Sequence, residues 1–439
     1  MGSFENFSQE NPEVPVDLSD AKKDLEEKFK KKSFFERHFA EFQTRKVPIK
    51  GAENPEEMRG ETFRFERGQI VKAYGILRKE IEGAEEQGEE AEEEILLLDK
   101  IRDRAKVLES NLDRLERQYY ENVKMVEIDT EFGKFTVPVA ELDLRKTDNV
   151  EGEEEGSTSE KDERIPYFLL GSVAVGYHQT AALSMGLALK GERVFVPTWP
   201  ELSTVGRPDN FAEILGKQQD LSIHKEYAKQ TIRKMGLEKI NLMGYSMGAA
   251  VALDLAQDQD FEEMQDLVVV EPPGLENKGL LGIGKDFGLD EGLLKTAPYS
   301  EAMIKLLKQG HKGDVQSMSM LIQDGRILGN QLFNAVDLSK INPKGRYQLW
   351  VGTKSSITDS ELDKKVFLQA DEIRKQNNSE ASPIEIRVVE GGTHGFPSIN
   401  NLGFSRMMLD KKIPEEQITT VDVNDLENSG MAGILMDIE

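Results

Sequence analysis

The pentapeptide Gly244–Gly248, in which Ser246 is the central residue, constrains the fold of this chain more than any other feature. Residues 239–243 before it read as a short buried strand, and the small, apolar residues 249–256 after it read as a helix. A serine at a tight strand-to-helix turn adopts a strained backbone conformation and presents its hydroxyl at the carboxyl edge of a sheet. The flanking glycines avoid collisions between strand and helix. The pattern therefore predicts that Ser246 is a nucleophile.

Strand-like and helix-like segments alternate on both sides of this turn. This alternation predicts a mostly parallel sheet covered by helices on both faces. Functional sites in such sheets lie beyond the carboxyl ends of the strands. The predicted strands are 165–170, 193–197, 239–243, 266–270, 346–351 and 384–389, preceded by a hairpin over 124–128 and 134–139.

In this order of elements, residues 124–414 resemble the α/β-hydrolase superfamily, in particular its serine esterases and lipases. The motifs that carry the resemblance are the pentapeptide around Ser246, the turn at Gly171 and Ser172 after the third strand, and the loop 391–395 after the eighth. The resemblance implies an α/β-hydrolase fold with a helical cap between strands 6 and 7. It also implies an oxyanion hole formed by the backbone N–H groups of Met247 and Ser172.

His394 is the predicted general base. It follows the last strand of the resemblance and comes after the serine and the candidate acids, in the Ser…acid…His order of this superfamily. The chain contains only five histidines, and the other four have no comparable setting: His38, His178, His224 and His311.

The acid of the triad is the less defined member. The superfamily most often places an Asp just beyond the seventh strand, but Ser355 and Ser356 occupy that stretch and neither can be an anion. Glu271, at the end of the sixth strand, and Asp359, a few residues late, remain as candidates. Asp359 precedes a helix-like segment and could instead be its N-cap. Glu271 is therefore the preferred acid.

Composition excludes several classes of function. A net charge of −25 argues against nucleic acid as a partner and against docking to anionic lipid. Because the chain has no Cys, disulfides, cysteine nucleophiles and thiolate metal sites are excluded. The sequence has no signal peptide and no apolar run long enough to span a membrane, so we expect a cytoplasmic protein. The implied chemistry requires no metal and no organic cofactor.

Four segments lie outside the strands of the resemblance. Residues 1–123 have heptad-like apolar spacing and predict a helical, coiled-coil-like N-terminal extension. This extension either packs on the hydrolase domain or serves as an arm for self-association or partner docking, and we expect it to be separable near residue 122. Residues 147–163 predict an acidic, disordered loop, residues 274–343 a helical cap, and residues 415–439 an acidic tail without an assigned role.

The sequence thus predicts a serine hydrolase that cleaves a small-molecule ester or thioester through a Ser-His-acid triad and an acyl-enzyme. Two alternatives remain open. One is a non-catalytic scaffold or binding protein that keeps the fold, and the other is an acyltransferase that uses the same triad. The acyl-chain length of the substrate does not follow from these motifs.

Overall fold

The computed structural model describes parts of 107–119 and residues 123–145, 164–172, 176–202, 205–289, 318–399, 401–410 and 416–426. Most of the predicted N-terminal extension, the acidic loop 147–163 and most of the tail 415–439 lie outside these residues. The predictions made for those segments are therefore not tested by the structure.

A single nine-stranded sheet forms the centre of the protein, with the strand order β1-β2-β4-β3-β5-β6-β7-β8-β9. Strand β2 runs antiparallel to both of its neighbours, β1 and β4, whereas β3 to β9 run parallel to one another. The strands are β1 Lys124–Thr130, β2 Gly133–Leu142, β3 Tyr167–Leu170, β4 Val194–Pro197, β5 Ile240–Tyr245, β6 Met264–Val270, β7 Tyr347–Gly352, β8 Ile384–Glu390 and β9 Ile418–Asp422.

Helices connect the parallel strands and cover both faces of the sheet, as the alternating pattern predicts. Those with described bounds are α1 Gly176–Leu189, α2 Phe211–Lys217, α3 Ser222–Lys234, α4 Met247–Ala256, α5 Gly279–Leu289, α6 Met318–Leu328, α7 Ala335–Leu338, α8 Ser360–Asn377, α9 Phe396–Ile399 and α10 Asn401–Leu409. Helices α5, α6 and α7 lie between β6 and β7, where the sequence predicts a helical cap.

The two faces of the sheet have separate hydrophobic cores. Adjacent residues of one strand alternate between them: Leu242 and Val269 belong to one core, whereas Met243 and Val268 belong to the other. Because successive strand side chains point to opposite faces, a strand buried on both sides reads as a continuous apolar run. This burial fixes the register of the central strands and therefore the positions of their carboxyl ends.

The turn between β5 and α4 depends on two close backbone approaches. A Cβ added at Gly248 would lie 2.1 Å from the carbonyl oxygen of Leu170 in β3, and one added at Gly244 would lie 2.3 Å from the carbonyl oxygen of Gly248. The N–H of Gly248 donates to the Gly171 carbonyl at 3.0 Å. The first turn of α4 is therefore held directly against the end of β3, and no side chain fits between them.

The C-terminal part of the N-terminal extension packs on the sheet. Leu115 and Tyr119 are fully buried in the same core as β2 and α1. The Gln118 amide makes two hydrogen bonds to the backbone of Asp143, accepting from its N–H at 2.8 Å and donating to its C=O at 2.9 Å. A boundary near residue 122 would remove these contacts, so the described helical residues belong structurally to the sheet domain.

The sheet also continues past residue 414, the predicted end of the hydrolase domain. Strand β9 pairs in parallel with β8, from Ile418 opposite Ile386 to Asp422 opposite Glu390. Its residues are half-buried or exposed, as expected for an edge strand, so its sequence lacks the apolar run of the central strands. This part of the predicted tail is therefore an element of the sheet.

Replacement of Gly248 by Ala should lower the free energy of unfolding by about 3 kcal/mol or more, because its Cβ has no room beside β3. The exposed Gly284 of α5 is a matched control, since an added Cβ there meets no atom within 4 Å. Gly284→Ala should be neutral or stabilise by up to about 1 kcal/mol. Urea unfolding of both variants tests the close approach, and wild-type stability of Gly248→Ala would contradict it.

Replacement of Gln118 by Ala should lower the free energy of unfolding by about 1 to 3 kcal/mol, because it leaves two backbone groups of Asp143 without their partner. Val107→Ala, at a helical position that is half exposed, should change stability by less than about 0.5 kcal/mol. Chemical denaturation compares the two. Equal stabilities would mean that the extension does not dock as described.

Candidate active site

Ser246 lies at the turn between β5 and α4, as the sequence predicts. Its backbone has φ 56° and ψ −122°, a conformation that L-residues with side chains rarely adopt. The N–H of Ser246 donates to the Val270 carbonyl of β6 at 2.9 Å, which ties the turn to the neighbouring strand. The side chain is fully buried. Its hydroxyl therefore lies at the carboxyl edge of the sheet and at the N-terminus of α4.

His394 follows β8 and contacts Ser246 directly. Its Nε2 lies 2.9 Å from Ser246 Oγ. Tyr245, the residue before the serine, stacks on the imidazole with ring centroids 5.5 Å apart and donates its hydroxyl to the His394 carbonyl at 3.0 Å. The pentapeptide thus supplies both the serine and a side chain that positions the histidine, a second role that the motif alone does not reveal.

Glu271 lies immediately after β6 and contacts the other nitrogen of the same imidazole. Its Oε2 lies 2.9 Å from His394 Nδ1, and both side chains are fully buried. Like Ser246, Glu271 has a positive φ, 53°, and its N–H donates to the Trp350 carbonyl of β7 at 2.9 Å. The turn that follows β6 therefore directs the carboxylate across the end of β7 to the loop after β8.

Two groups near the end of β7 also bind this carboxylate. The Gly352 N–H donates to Glu271 Oε1, and the Thr358 hydroxyl donates to Glu271 Oε2 at 2.6 Å. Thr358 lies 3.0 Å from Ser355 Oγ. Neither Gly352 nor Thr358 was predicted from the sequence, although hydroxyl residues in the stretch that usually supplies an acid are a signal for this arrangement. These donors hold the carboxylate in one orientation.

Asp359, the second candidate acid, is at the N-cap of α8. Its exposed carboxylate accepts hydrogen bonds from the N–H groups of Glu361 and Leu362, at 3.0 Å and 3.1 Å. These contacts match the capping role that its sequence position allows. Of the two candidates, Glu271 is the one whose carboxylate lies against His394.

The two residues predicted for an oxyanion hole lie on adjacent elements. Met247 is the first residue of α4, and Ser172 follows the end of β3; both are buried. The hydrogen bond between the Gly248 N–H and the Gly171 carbonyl holds the two segments together. The indole N–H of Trp199 also donates to the Gly171 carbonyl, at 3.0 Å, which links this edge to the loop after β4.

A second buried carboxyl group lies near the site. Burial raises the pKa of Asp363 well above its usual value, and the negative charges of Glu271 and Asp359 raise it further. Burial and these neighbouring carboxylates thus disfavour the charged form of Asp363.

A second polar cluster joins the loop after β4 to α3 and α6. Nε2 of His224 in α3 lies 2.6 Å from Glu201 Oε1 and 3.8 Å from Oδ1 of Asp324 in α6. Burial alone would lower the pKa of His224, but the Glu201 and Asp324 carboxylates outweigh it and raise the pKa to about 9. Within the described ranges this is the one group of His and acidic side chains close enough to share a cation.

Comparisons with known proteins give neighbours among solved structures alone: no family model matches the chain, and no curated protein does. An alpha/beta hydrolase fold protein from Chitinophaga pinensis is 13% identical, with a TM-score of 0.46 over 66% of this chain and 98% of that one. An esterase from Exiguobacterium antarcticum is 14% identical, with a TM-score of 0.46 over 65% and 98%. A carboxylesterase from Bacillus subtilis is 13% identical, with a TM-score of 0.41 over 71% and 100%.

Among the described residues, no helix is both long and apolar enough to cross a membrane.

The fold follows from the topology of the chain itself. An antiparallel hairpin leads into parallel strands in the order β4-β3-β5-β6-β7-β8, helices cover both faces, and a serine with a positive φ connects β5 to the next helix. With this strand order and this strand-to-helix turn, the described chain has the α/β-hydrolase fold.

Proposed function

We propose that this protein is a serine hydrolase that cleaves an ester or thioester through an acyl-enzyme. The observation that carries the proposal is a continuous chain of hydrogen-bond contacts. It runs from Ser246 Oγ to His394 Nε2 at 2.9 Å and from His394 Nδ1 to Glu271 Oε2 at 2.9 Å. A nucleophile, a base and a group that orients the base are the parts that this chemistry requires.

The Glu271 carboxylate determines which tautomer of His394 is present. An ionised carboxylate can only accept hydrogen bonds. Nδ1 therefore carries the proton and donates a hydrogen bond to Glu271. Nε2 is then unprotonated and faces the Ser246 hydroxyl. It can accept the serine proton as the oxygen attacks the substrate carbonyl, and Glu271 stabilises the imidazolium that forms.

The later steps use the same groups. The imidazolium of His394 donates its proton to the leaving alcohol or thiol, and a water molecule activated by Nε2 then hydrolyses the acyl-Ser246. We propose that the backbone N–H groups of Met247 and Ser172 bind the oxyanion. Each such donor stabilises the transition state by roughly 3 kcal/mol in a site shielded from water.

Glu271 is the proposed acid because one of its oxygens contacts the imidazole of His394 and both oxygens have hydrogen-bond partners that hold the carboxylate in place. Oε2 meets His394 Nδ1 and the Thr358 hydroxyl, while Oε1 accepts from Gly352. The carboxylate is thus held in one orientation without a cationic partner among these contacts. Asp359 instead caps a helix from an exposed position.

Replacement of Ser246 by Ala should abolish turnover of an activated ester and labelling by a fluorophosphonate probe, because the nucleophilic oxygen is absent. The fold should persist, since the side chain loses one atom. Ser222→Ala, at the start of α3, is a matched control that should keep wild-type labelling. Peptide mapping of the labelled site and a melting curve complete the test. Turnover that survives in Ser246→Ala would refute the proposed nucleophile, and a protein that never labels would support the scaffold alternative.

Replacement of Glu271 by Gln should lower kcat/KM by about 10³- to 10⁴-fold, because an amide no longer fixes the productive tautomer of His394. Asp359→Asn should leave kcat/KM near the wild-type value, since Asn caps a helix about as well as Asp. Steady-state kinetics of the two variants, with melting curves, give the comparison. A large loss in Asp359→Asn together with wild-type rates in Glu271→Gln would reverse the choice of acid.

A further inference from the structure

We propose that Glu201, His224 and Asp324 form a structural site for one divalent transition-metal cation, best suited to Zn²⁺. None of the three residues is assigned to the hydrolytic reaction, and the hydrolysis proposed above does not require the site. Its three members come from the loop after β4, from α3 and from cap helix α6.

The donor set suits a divalent transition metal. One imidazole nitrogen and two carboxylates suit Zn²⁺, whereas Mg²⁺ and Ca²⁺ prefer oxygen ligands alone. The formal charges of the two carboxylates equal the charge of a divalent cation. All three side chains are at most 2% exposed, so they face no bulk water that could solvate these charges.

The spacing of the donor atoms is close to that of a tetrahedral zinc site. Ligands at Zn²⁺ bonding distances in a tetrahedral site are about 3.3 Å apart. His224 Nε2 lies 2.6 Å from Glu201 Oε1 and 3.8 Å from Asp324 Oδ1, values on either side of that separation. The three ligand atoms all lie within 4.8 Å of one another. Small side-chain adjustments therefore suffice to bind a cation between them.

One carboxylate oxygen of the cluster makes no hydrogen bond within the described part of the chain. Glu201 Oε2 is buried and has no hydrogen-bond partner among the described residues. A buried carboxylate oxygen without a partner is unfavourable. If Glu201 binds a cation through both oxygens, the cation becomes the partner that Oε2 lacks. The three side chains then supply four coordinating atoms.

The position of the site indicates what the cation does. Asp324 belongs to the cap, whereas His224 and Glu201 belong to the sheet domain. Arg326, two residues after Asp324, donates to the carbonyls of Gly216 and Gln218 and ties the same helix to the end of α2. A cation at this point joins the cap to the loop that contains Trp199, whose indole donates to Gly171 at the proposed oxyanion hole. Its expected role is to fix the cap on the sheet domain.

The test begins with full-length protein that has been treated with EDTA and dialysed. Titration with Zn²⁺ in a calorimeter should show one tight site per chain, and Zn²⁺ should raise the melting temperature whereas Mg²⁺ should not. Glu201→Gln and His224→Gln should each weaken that site at least about tenfold. Glu213→Gln removes an exposed carboxylate of α2 and should leave the affinity unchanged, which controls for the strongly acidic surface.

Crystals of the wild-type chain soaked in Zn²⁺ make the test independent of any variant that fails to fold. The expected result is an anomalous difference peak at the zinc edge between Glu201, His224 and Asp324. The absence of a tight site in the wild type, a peak elsewhere, or unchanged affinity in Glu201→Gln would each overturn the proposal. None of these measurements uses turnover, so their outcome does not depend on whether the protein is a hydrolase.

Discussion

The close approach of α4 to the end of β3 is the constraint on which the proposed site depends. Gly248 presses its backbone against the carbonyls of Leu170 and Gly171, so the first turn of the helix can begin only where no side chain intervenes. This contact fixes the direction in which the chain leaves β5 and so the position of Ser246. It also places the N-terminus of α4 beside the residues that follow β3. The geometry of the nucleophile and of the proposed oxyanion hole therefore has one common origin in backbone packing.

The acid is supported in a different way. Glu271 extends from β6, and its carboxylate meets donors from the end of β7 and from the loop after β8. Three consecutive strands thus converge on one buried side chain. In the low-dielectric interior such contacts are strong only when all partners are in place. The position of His394 consequently depends on the register of β6, β7 and β8 together, and on the stacking of Tyr245 from β5.

The sequence predicted most of the fold because a parallel sheet buried on both faces leaves long apolar runs, and because the turn at Ser246 requires glycines at fixed positions. His394 could be predicted from its place after the last central strand. The choice between Glu271 and Asp359 could only be weighed, since it depends on where two loops lie in space. Strand β9 was missed because an edge strand carries little apolar signal. The cluster of Glu201, His224 and Asp324 left no sequence pattern, because its members come from three separate segments and meet only when α6 packs beside α3 and the loop after β4.

Ser246 and Glu271 are the non-glycine residues with positive φ in the described part of the chain. Each such conformation costs on the order of 1 to 3 kcal/mol relative to an ordinary one. Glycine would adopt both conformations without that cost. A directed-evolution experiment that selected for heat resistance alone would therefore favour glycine at these two positions and erase the proposed nucleophile and acid together. Thermostability and turnover are opposing objectives at this edge of the sheet, and a screen for robust variants has to select for both at once.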